Sequence, residues 1–133
     1  MNRGLLPALL LILSSLRADA HHAIAAIYDS RDRISFEAVV VDFQFVNPHP
    51  FVVVERSDGG ERAQQWRLEM DNLFELSSAG MTASTLRKGD RISVSGSRAR
   101  DRSRALYVRR LDRAADGFWY EQVGSSPRTN LRR

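Results

Sequence analysis

The stretch "ISFEAVVVDFQFV", residues 34–46, decides the fold because its apolar positions change phase halfway along. Apolar side chains first occupy the even positions 34, 36, 38 and 40, and then the odd positions 39, 41, 43 and 45. A strand that keeps one phase buries one face. A change of phase inside one strand predicts a bulge or sharp bend that sends its two halves to different sheets. Such a strand is typical of a small barrel.

Strand and turn signals flank this stretch on both sides. After it, the prolines of "NPHP" end the strand, because proline cannot donate a ladder hydrogen bond. Further strands are predicted at 51–55, 65–70, 91–96, 105–111 and 116–120, with turns at 57–60 and 88–90. Between the third and fourth strands, Asp71 is expected to cap a short helix that Gly80 ends. Before the stretch, residues 23–28 predict a short strand and "DSRDR", 29–33, predicts a polar turn.

The order of these elements predicts a mainly β fold. Three strands, a helix and then two strands, with a bent first strand, indicate a small OB-like five- to six-stranded barrel with one short helix. Another small β-barrel or a β-sandwich is the alternative, because strand number is better determined by sequence than strand connection.

The N-terminal segment has the organisation of a secretory signal peptide. Arg3 precedes an apolar run at 5–16, which is followed by the small-x-small pattern Ala18-Asp19-Ala20. We therefore expect a signal peptide at 1–20, cleavage after Ala20, and a periplasmic or secreted protein without a transmembrane anchor. The mature chain is expected to be one barrel domain at 21–123 followed by a disordered basic tail at 124–133.

Composition limits the chemistry that the chain can perform. The 133 residues contain no cysteine, which excludes thiolate zinc sites, iron–sulfur clusters, cysteine nucleophiles and covalent c-type haem. The formal net charge of +4 is a modest basic excess. The serines lack a nucleophile-elbow context, and no phosphate loop occurs. We accordingly expect a protein that is not an enzyme and that binds a metal ion or a small or charged ligand.

The three histidines, His21, His22 and His49, are the candidate metal ligands. Cleavage after Ala20 would give His21 a free amine beside its imidazole, and a further histidine could complete a nitrogen set that favours Cu(II). This donor set resembles the histidine brace of exported copper proteins in its chemistry only. A simple hairpin of 23–28 on the next strand opposes this site, because it leaves His49 about 25 Å from His21. A mobile terminus and a proline-flanked turn are the plainer interpretations of these histidines.

An arginine-rich segment suggests a second function. Four arginines recur at every second position, which would place them on one face if the chain were extended: Arg98, Arg100, Arg102 and Arg104. They could bind a polyanion or an envelope surface, with nucleic acid an unlikely partner for an exported protein. A solvated loop turning at 101–103 is the plainer interpretation. A structural or partner-binding domain without a ligand is the third hypothesis.

Two acids end the third predicted strand. Glu69 and Asp71 could form an acid pair or supply metal oxygens. The plainer interpretation is a strand-ending acid beside a helix cap.

The chain resembles a family of small exported bacterial proteins of unknown function, over about residues 21–118. The residues that carry the resemblance are His21-His22, Asn47-Pro48-His49, Trp66 with Glu69, and Lys88-Gly89-Asp90 before Ile92-x-Val94-x-Gly96. The chain departs from the family pattern at Ala23-Ile24, Met81 and Asp101-Arg102-Ser103. The resemblance implies a periplasmic β-barrel domain and no known activity.

Overall fold

A computed structural model describes residues 19–56, 62–124 and 126–131. The fold of these residues is mainly β, as the alternating apolar pattern predicts, but it has seven strands and two short helices where five to six strands and one helix were expected. In chain order they are α1 (Asp19–Ile27), β1 (Tyr28–Gln44), β2 (Phe51–Arg56), β3 (Gln64–Glu69), α2 (Leu73–Ser78), β4 (Arg91–Ala99), β5 (Ala105–Arg113), β6 (Phe118–Val123) and β7 (Ser126–Thr129). The predicted turn at 57–60 lies outside the described residues, as do residues 1–18 of the expected signal peptide.

The bulge predicted from the phase change in β1 is confirmed. Val40 pairs with Val54 of β2, whereas Asp42 pairs with Val53, so Val41 is the extra residue. Before the bulge, Phe36, Ala38 and Val40 are buried in the main core. β1 thereby pairs with β4 along its first part and with β2 along its second part.

The strand pairings return to their starting strand. β1 pairs with β2, β2 with β3, β4 with β1, and β5 with β4, all antiparallel. One edge of β5 is shared: its first residues pair in parallel with β3, and its last residues pair with β6. The pairings β1–β2–β3–β5–β4–β1 therefore form a closed circuit, from which β6 and β7 extend the sheet. Trp66, Leu68 and Met70 are buried, as their alternation predicts.

The N-terminal part of the described chain differs from the prediction. Residues 23–28 do not form a strand, because α1 extends to Ile27 and only Tyr28 begins β1. The alanines at 23, 25 and 26 are strong helix formers, which explains the helix. Residues 29–33 are not a turn but part of β1, where the pairing with β4 is irregular between Asp29 and Arg33. The polar residues fit a strand there because 30, 31 and 33 are exposed.

Two further predictions need correction. The N-cap of α2 is Asn72 and not Asp71: the Asn72 side chain accepts a hydrogen bond from the Glu75 amide at 2.9 Å. Gly80 ends this helix segment in the predicted left-handed conformation, with φ of 90°. Part of the segment expected to be a disordered tail, Ser126–Thr129, is strand β7 and pairs with β6.

Among the described residues no helix is long and apolar enough to span a membrane.

Candidate functional site

His49 lies in the loop between β1 and β2 and contacts an acid at the end of β3. Its Nδ1 atom is 2.7 Å from Oε1 of Glu69. The register of β2 on β3 explains the meeting, because Phe51 pairs with Glu69 and His49 precedes Phe51 by two residues. Two prolines flank His49, and the Asn47–Pro48 peptide is cis. The site is thus held by the last residues of the loop, just before β2, and by the end of β3.

Glu69 also accepts a hydrogen bond from Tyr28. The Tyr28 hydroxyl donates to Oε2 of Glu69 at 2.6 Å, so each carboxylate oxygen has its own donor. A carboxylate only accepts hydrogen bonds, which requires that Nδ1 of His49 carries a hydrogen. In neutral His49, the lone pair is then on Nε2, for which the described residues offer no hydrogen-bond partner. The His49 side chain is 20% exposed, so Nε2 belongs to a half-buried group at the surface.

A second acid, Asp71, follows Glu69 by two residues along the chain. Asp71 is buried and accepts hydrogen bonds from Tyr107 at 2.7 Å and from Tyr120 at 3.3 Å. The rings of Tyr28 and Tyr107 lie 5.8 Å apart, centroid to centroid, so the two acid clusters adjoin. The prediction that Glu69 and Asp71 act as one acid pair is not supported, because each acid binds different tyrosines. Glu69 is instead the orienting partner of His49.

Burial and these acids make the tyrosine hydroxyls weaker acids. For Tyr28, burial is the main cause of a raised pKa, and the hydrogen bond to Glu69 adds to it. For Tyr107 and Tyr120, burial again raises the pKa most, followed by repulsion from the Asp71 carboxylate. All three hydroxyls therefore stay protonated and remain hydrogen-bond donors across the physiological pH range.

His21 and His22 lie in α1, and their side chains are outside the described part of the chain. The hairpin that placed His49 about 25 Å from His21 is wrong, because its first strand is this helix. Along a helix His22 precedes Tyr28 by about 9 Å of rise, and Tyr28 contacts the carboxylate that holds His49. Within the described side chains, no group of three or more His, Asp or Glu residues converges on one point.

The sequence match that classifies the chain covers most of this site. A family of unknown function, DUF6152, matches residues 9–107, which include His21, His22, His49 and Glu69. The chain belongs to the DUF6152 family. Membership in a family of unknown function is thus confirmed, while the histidine motifs as marks of that family stay a prediction. A comparison with curated proteins finds no match.

In this DUF6152 protein the four arginines of the predicted polyanion face do not share one environment. Arg98 lies in β4 with its guanidinium 6.0 Å from the Trp66 ring, and Arg104 is exposed before β5. Arg100 pairs with Asp29 at 3.4 Å. Arg102 pairs with Asp32 at 2.7 Å in the turn that the sequence predicts at 101–103. Two of the four arginines therefore pair with acids, and polyanion binding by this segment stays a prediction.

Sequence reasoning missed Tyr28 as a site residue. Tyr28 was expected to end a short strand, and its contact with Glu69 spans 41 residues of chain. The available signal was weak: an aromatic residue just after the two histidines and an acid placed on the more exposed face of β3. Neither feature indicates that the two residues meet.

Proposed function

We propose that this protein is a small exported binding protein that binds copper through His49 and the N-terminal histidines. The observation that carries the proposal is the chain of contacts from Tyr28 to Glu69 to His49. Histidine ligands in metal sites commonly donate their second ring N–H to a carboxylate, which fixes the tautomer and raises the basicity of the ligating nitrogen. His49 has this partner, and its partner is in turn held by a tyrosine.

The choice of metal follows from the donors that the chain offers. With no cysteine, the nitrogen donors are the imidazoles of His21, His22 and His49 and, after cleavage at Ala20, the amine of His21. Nitrogen-rich tetragonal donor sets favour Cu(II) among divalent metals. In our proposal His21 supplies the amine and imidazole chelate, Nε2 of His49 supplies a further nitrogen, and His22 assists. No catalytic step is proposed.

The proposal places this site at one end of an OB-like barrel in the periplasm. The circuit of pairings β1–β2–β3–β5–β4–β1, with parallel β3 and β5, supports the OB-like interpretation. The apolar run and small-x-small pattern at 5–20 support export. Cleavage after Ala20 removes only the first two residues of α1 and leaves the remainder of that helix beside Tyr28.

Copper titration of secreted protein tests the proposal. Intact-mass measurement first establishes whether His21 is the first residue. We expect Cu(II) affinity to fall about tenfold or more when the amine of His21 is acetylated, because the acetylated nitrogen no longer coordinates the metal. His49→Ala should lower the affinity by a similar factor. Gln44→Ala, a change at the half-buried last residue of β1, whose side chain donates to Asp42, is the control and should bind as wild type does.

Two results would overturn the proposal. One is a mature N-terminus other than His21 together with unchanged copper affinity in His49→Ala. The other is wild-type affinity in the protein whose N-terminal amine is acetylated. Either result would leave the contact of His49 with Glu69 as a structural hydrogen bond.

A further inference from the structure

A small cavity lies between α1 and the sheet and is separate from His49. Its volume is about 160 Å³, and its floor is formed by β4, β5 and β6 while α1 covers it. Since one water occupies about 30 Å³ of liquid, the cavity has room for about five water molecules or a molecule of similar size. The floor residues are Ser97, Tyr107, Arg109 and Gln122, and Ile24 of α1 is apolar cover.

Strand register places three of these side chains together. Ser97 of β4 pairs directly with Tyr107 of β5, so both side chains point to the same face. Arg109 is the extra residue of a bulge in β5, and it lines the same cavity as Tyr107. Its guanidinium carbon is 5.2 Å from the centre of the Tyr107 ring, and one of its nitrogens donates to the Gln122 side chain. Gln122 is itself fixed, because its amide donates to the Gly124 carbonyl at 2.7 Å.

Two residues that line the cavity each carry a buried polar atom without a partner. The Ser97 hydroxyl and Nε of Arg109 are buried, and the described residues provide no hydrogen-bond partner for either. Ser97 is only 1% exposed. Buried donors are almost always paired in proteins, and an unpaired one lowers stability. A ligand oxygen in the cavity would supply the acceptor that both groups lack.

The charges around the cavity favour one negative charge. Within the described part of the chain, no carboxylate lies at ion-pair distance from Arg109. The other arginine at the cavity, Arg100, is occupied: it pairs with Asp29 and donates to the Ala25 carbonyl of α1 at 3.0 Å. One uncompensated guanidinium therefore faces the cavity, beside two tyrosine rings and an isoleucine.

We propose that this cavity binds a short-chain monocarboxylate. Arg109 would donate to the carboxylate through Nε and its remaining terminal nitrogen, the bidentate geometry that guanidinium groups prefer. The Ser97 hydroxyl donates to one carboxylate oxygen. The aliphatic part of the ligand packs on Ile24 and on the rings of Tyr28 and Tyr107. A dianion such as phosphate is disfavoured because only one positive charge is free to balance it.

Binding of propionate to the whole secreted protein, followed by NMR shift titration with a chelator present, tests the proposal. Wild type should show saturable shifts that are confined to the residues around the cavity. Arg109→Met keeps the apolar stem and removes the charge, so its affinity should fall about tenfold to a hundredfold. Ser97→Ala should weaken binding by about two- to tenfold without lowering the Tm of the free protein, because it removes an unpaired hydroxyl. Arg110→Met is the control, since Arg110 pairs with Asp112 and does not line the cavity.

Three results would overturn this proposal. The first is the absence of saturable binding by wild type. The second is equal binding of neutral propionamide, which would remove the role of the charge. The third is tighter binding of inorganic phosphate than of propionate, which would exclude the monocarboxylate class. Since the chelator removes metal ions, none of these results bears on the copper proposal, and a failure of copper binding leaves these expectations unchanged.

Discussion

The change Glu69→Gln tests how the carboxylate orients His49, because it exchanges one acceptor oxygen for an NH2 donor. Two donors, Tyr28 and Nδ1–H of His49, contact Glu69 at 2.6 and 2.7 Å. The glutamine oxygen can accept only from one side, while the NH2 group faces the other. If the oxygen faces His49, the buried Tyr28 hydroxyl loses its acceptor. If it faces Tyr28, His49 must change tautomer, accept at Nδ1 and carry its hydrogen on Nε2.

The burial of Tyr28 decides between these arrangements. Tyr28 is 4% exposed, so water cannot readily replace a lost acceptor. An unpaired buried hydroxyl costs about 1–3 kcal/mol, and the variant should therefore prefer the tautomer that protonates Nε2. In that tautomer a hydrogen occupies Nε2, so a metal can bind there only after His49 returns to the tautomer with its hydrogen on Nδ1. The reversal corresponds to a loss of about tenfold to a hundredfold in copper affinity, the range typical of outer partners of metal ligands.

Nitrogen NMR of the imidazole and copper titration together measure this prediction. Glu69→Gln should move the hydrogen from Nδ1 to Nε2 and weaken copper binding, while Glu37→Gln, an exposed position of β1, should change neither. Adding Tyr28→Phe to Glu69→Gln removes the competing hydroxyl, so the double variant should regain both the Nδ1–H tautomer and most of the affinity. The reasoning fails if Glu69→Gln keeps hydrogen on Nδ1, or if the double variant binds copper no better than the single variant.

Three further predictions concern the fold. All three tyrosines have raised pKa values in the folded state. Above about pH 10 the folded chain therefore keeps protons that the unfolded chain releases. The free energy of unfolding, measured with urea, should fall there by about 1.4 kcal/mol per pH unit for each tyrosine. Phenolate absorbance that rises in the still-folded protein would contradict this. Gly96→Ala should lower the free energy of unfolding by about 3 kcal/mol or more, since the added Cβ would lie 2.2 Å from the Tyr107 carbonyl oxygen. A Tm equal to that of wild type would refute this expectation. Asn72→Ala should cost about 1 kcal/mol through lost capping, and Asp71→Ala more, because two buried hydroxyls lose their acceptor; equal Tm losses would contradict this order.

The parts of the fold that local periodicity encodes were predictable. The bulge at Val41 follows from side-chain alternation, which reports the local pairing of β1 whatever the rest of the chain does. The strands at 51–55 and 65–70 match β2 and β3 within one residue at each end for the same reason. The turn at 101–103 was also predictable, because Asp101 accepts from the amide of Ser103, a local hydrogen bond.

The parts that depend on distant partners were not predictable. The polar segment at 29–33 is a strand only because β4 lies beside it, and residues 126–129 are a strand only because β6 does. For α1 the strand prediction gave too little weight to alanine, which favours helix wherever no strand partner is present. Because this segment is a helix, the hairpin from which the distance of about 25 Å between His21 and His49 was derived does not form.

The candidate site shows the same division between local and distant information. Glu69 and His49 were each recognisable by residue type, yet their contact depends on the register of β2 against β3, and the contact with Tyr28 depends on where α1 ends. Because Tyr28 begins β1 directly after α1 and donates to the carboxylate that holds His49, the orientation of α1 and the tautomer of His49 are linked through one side chain. Under the copper proposal, Tyr28, the first residue after the helix that carries His21 and His22, also holds the carboxylate that orients His49.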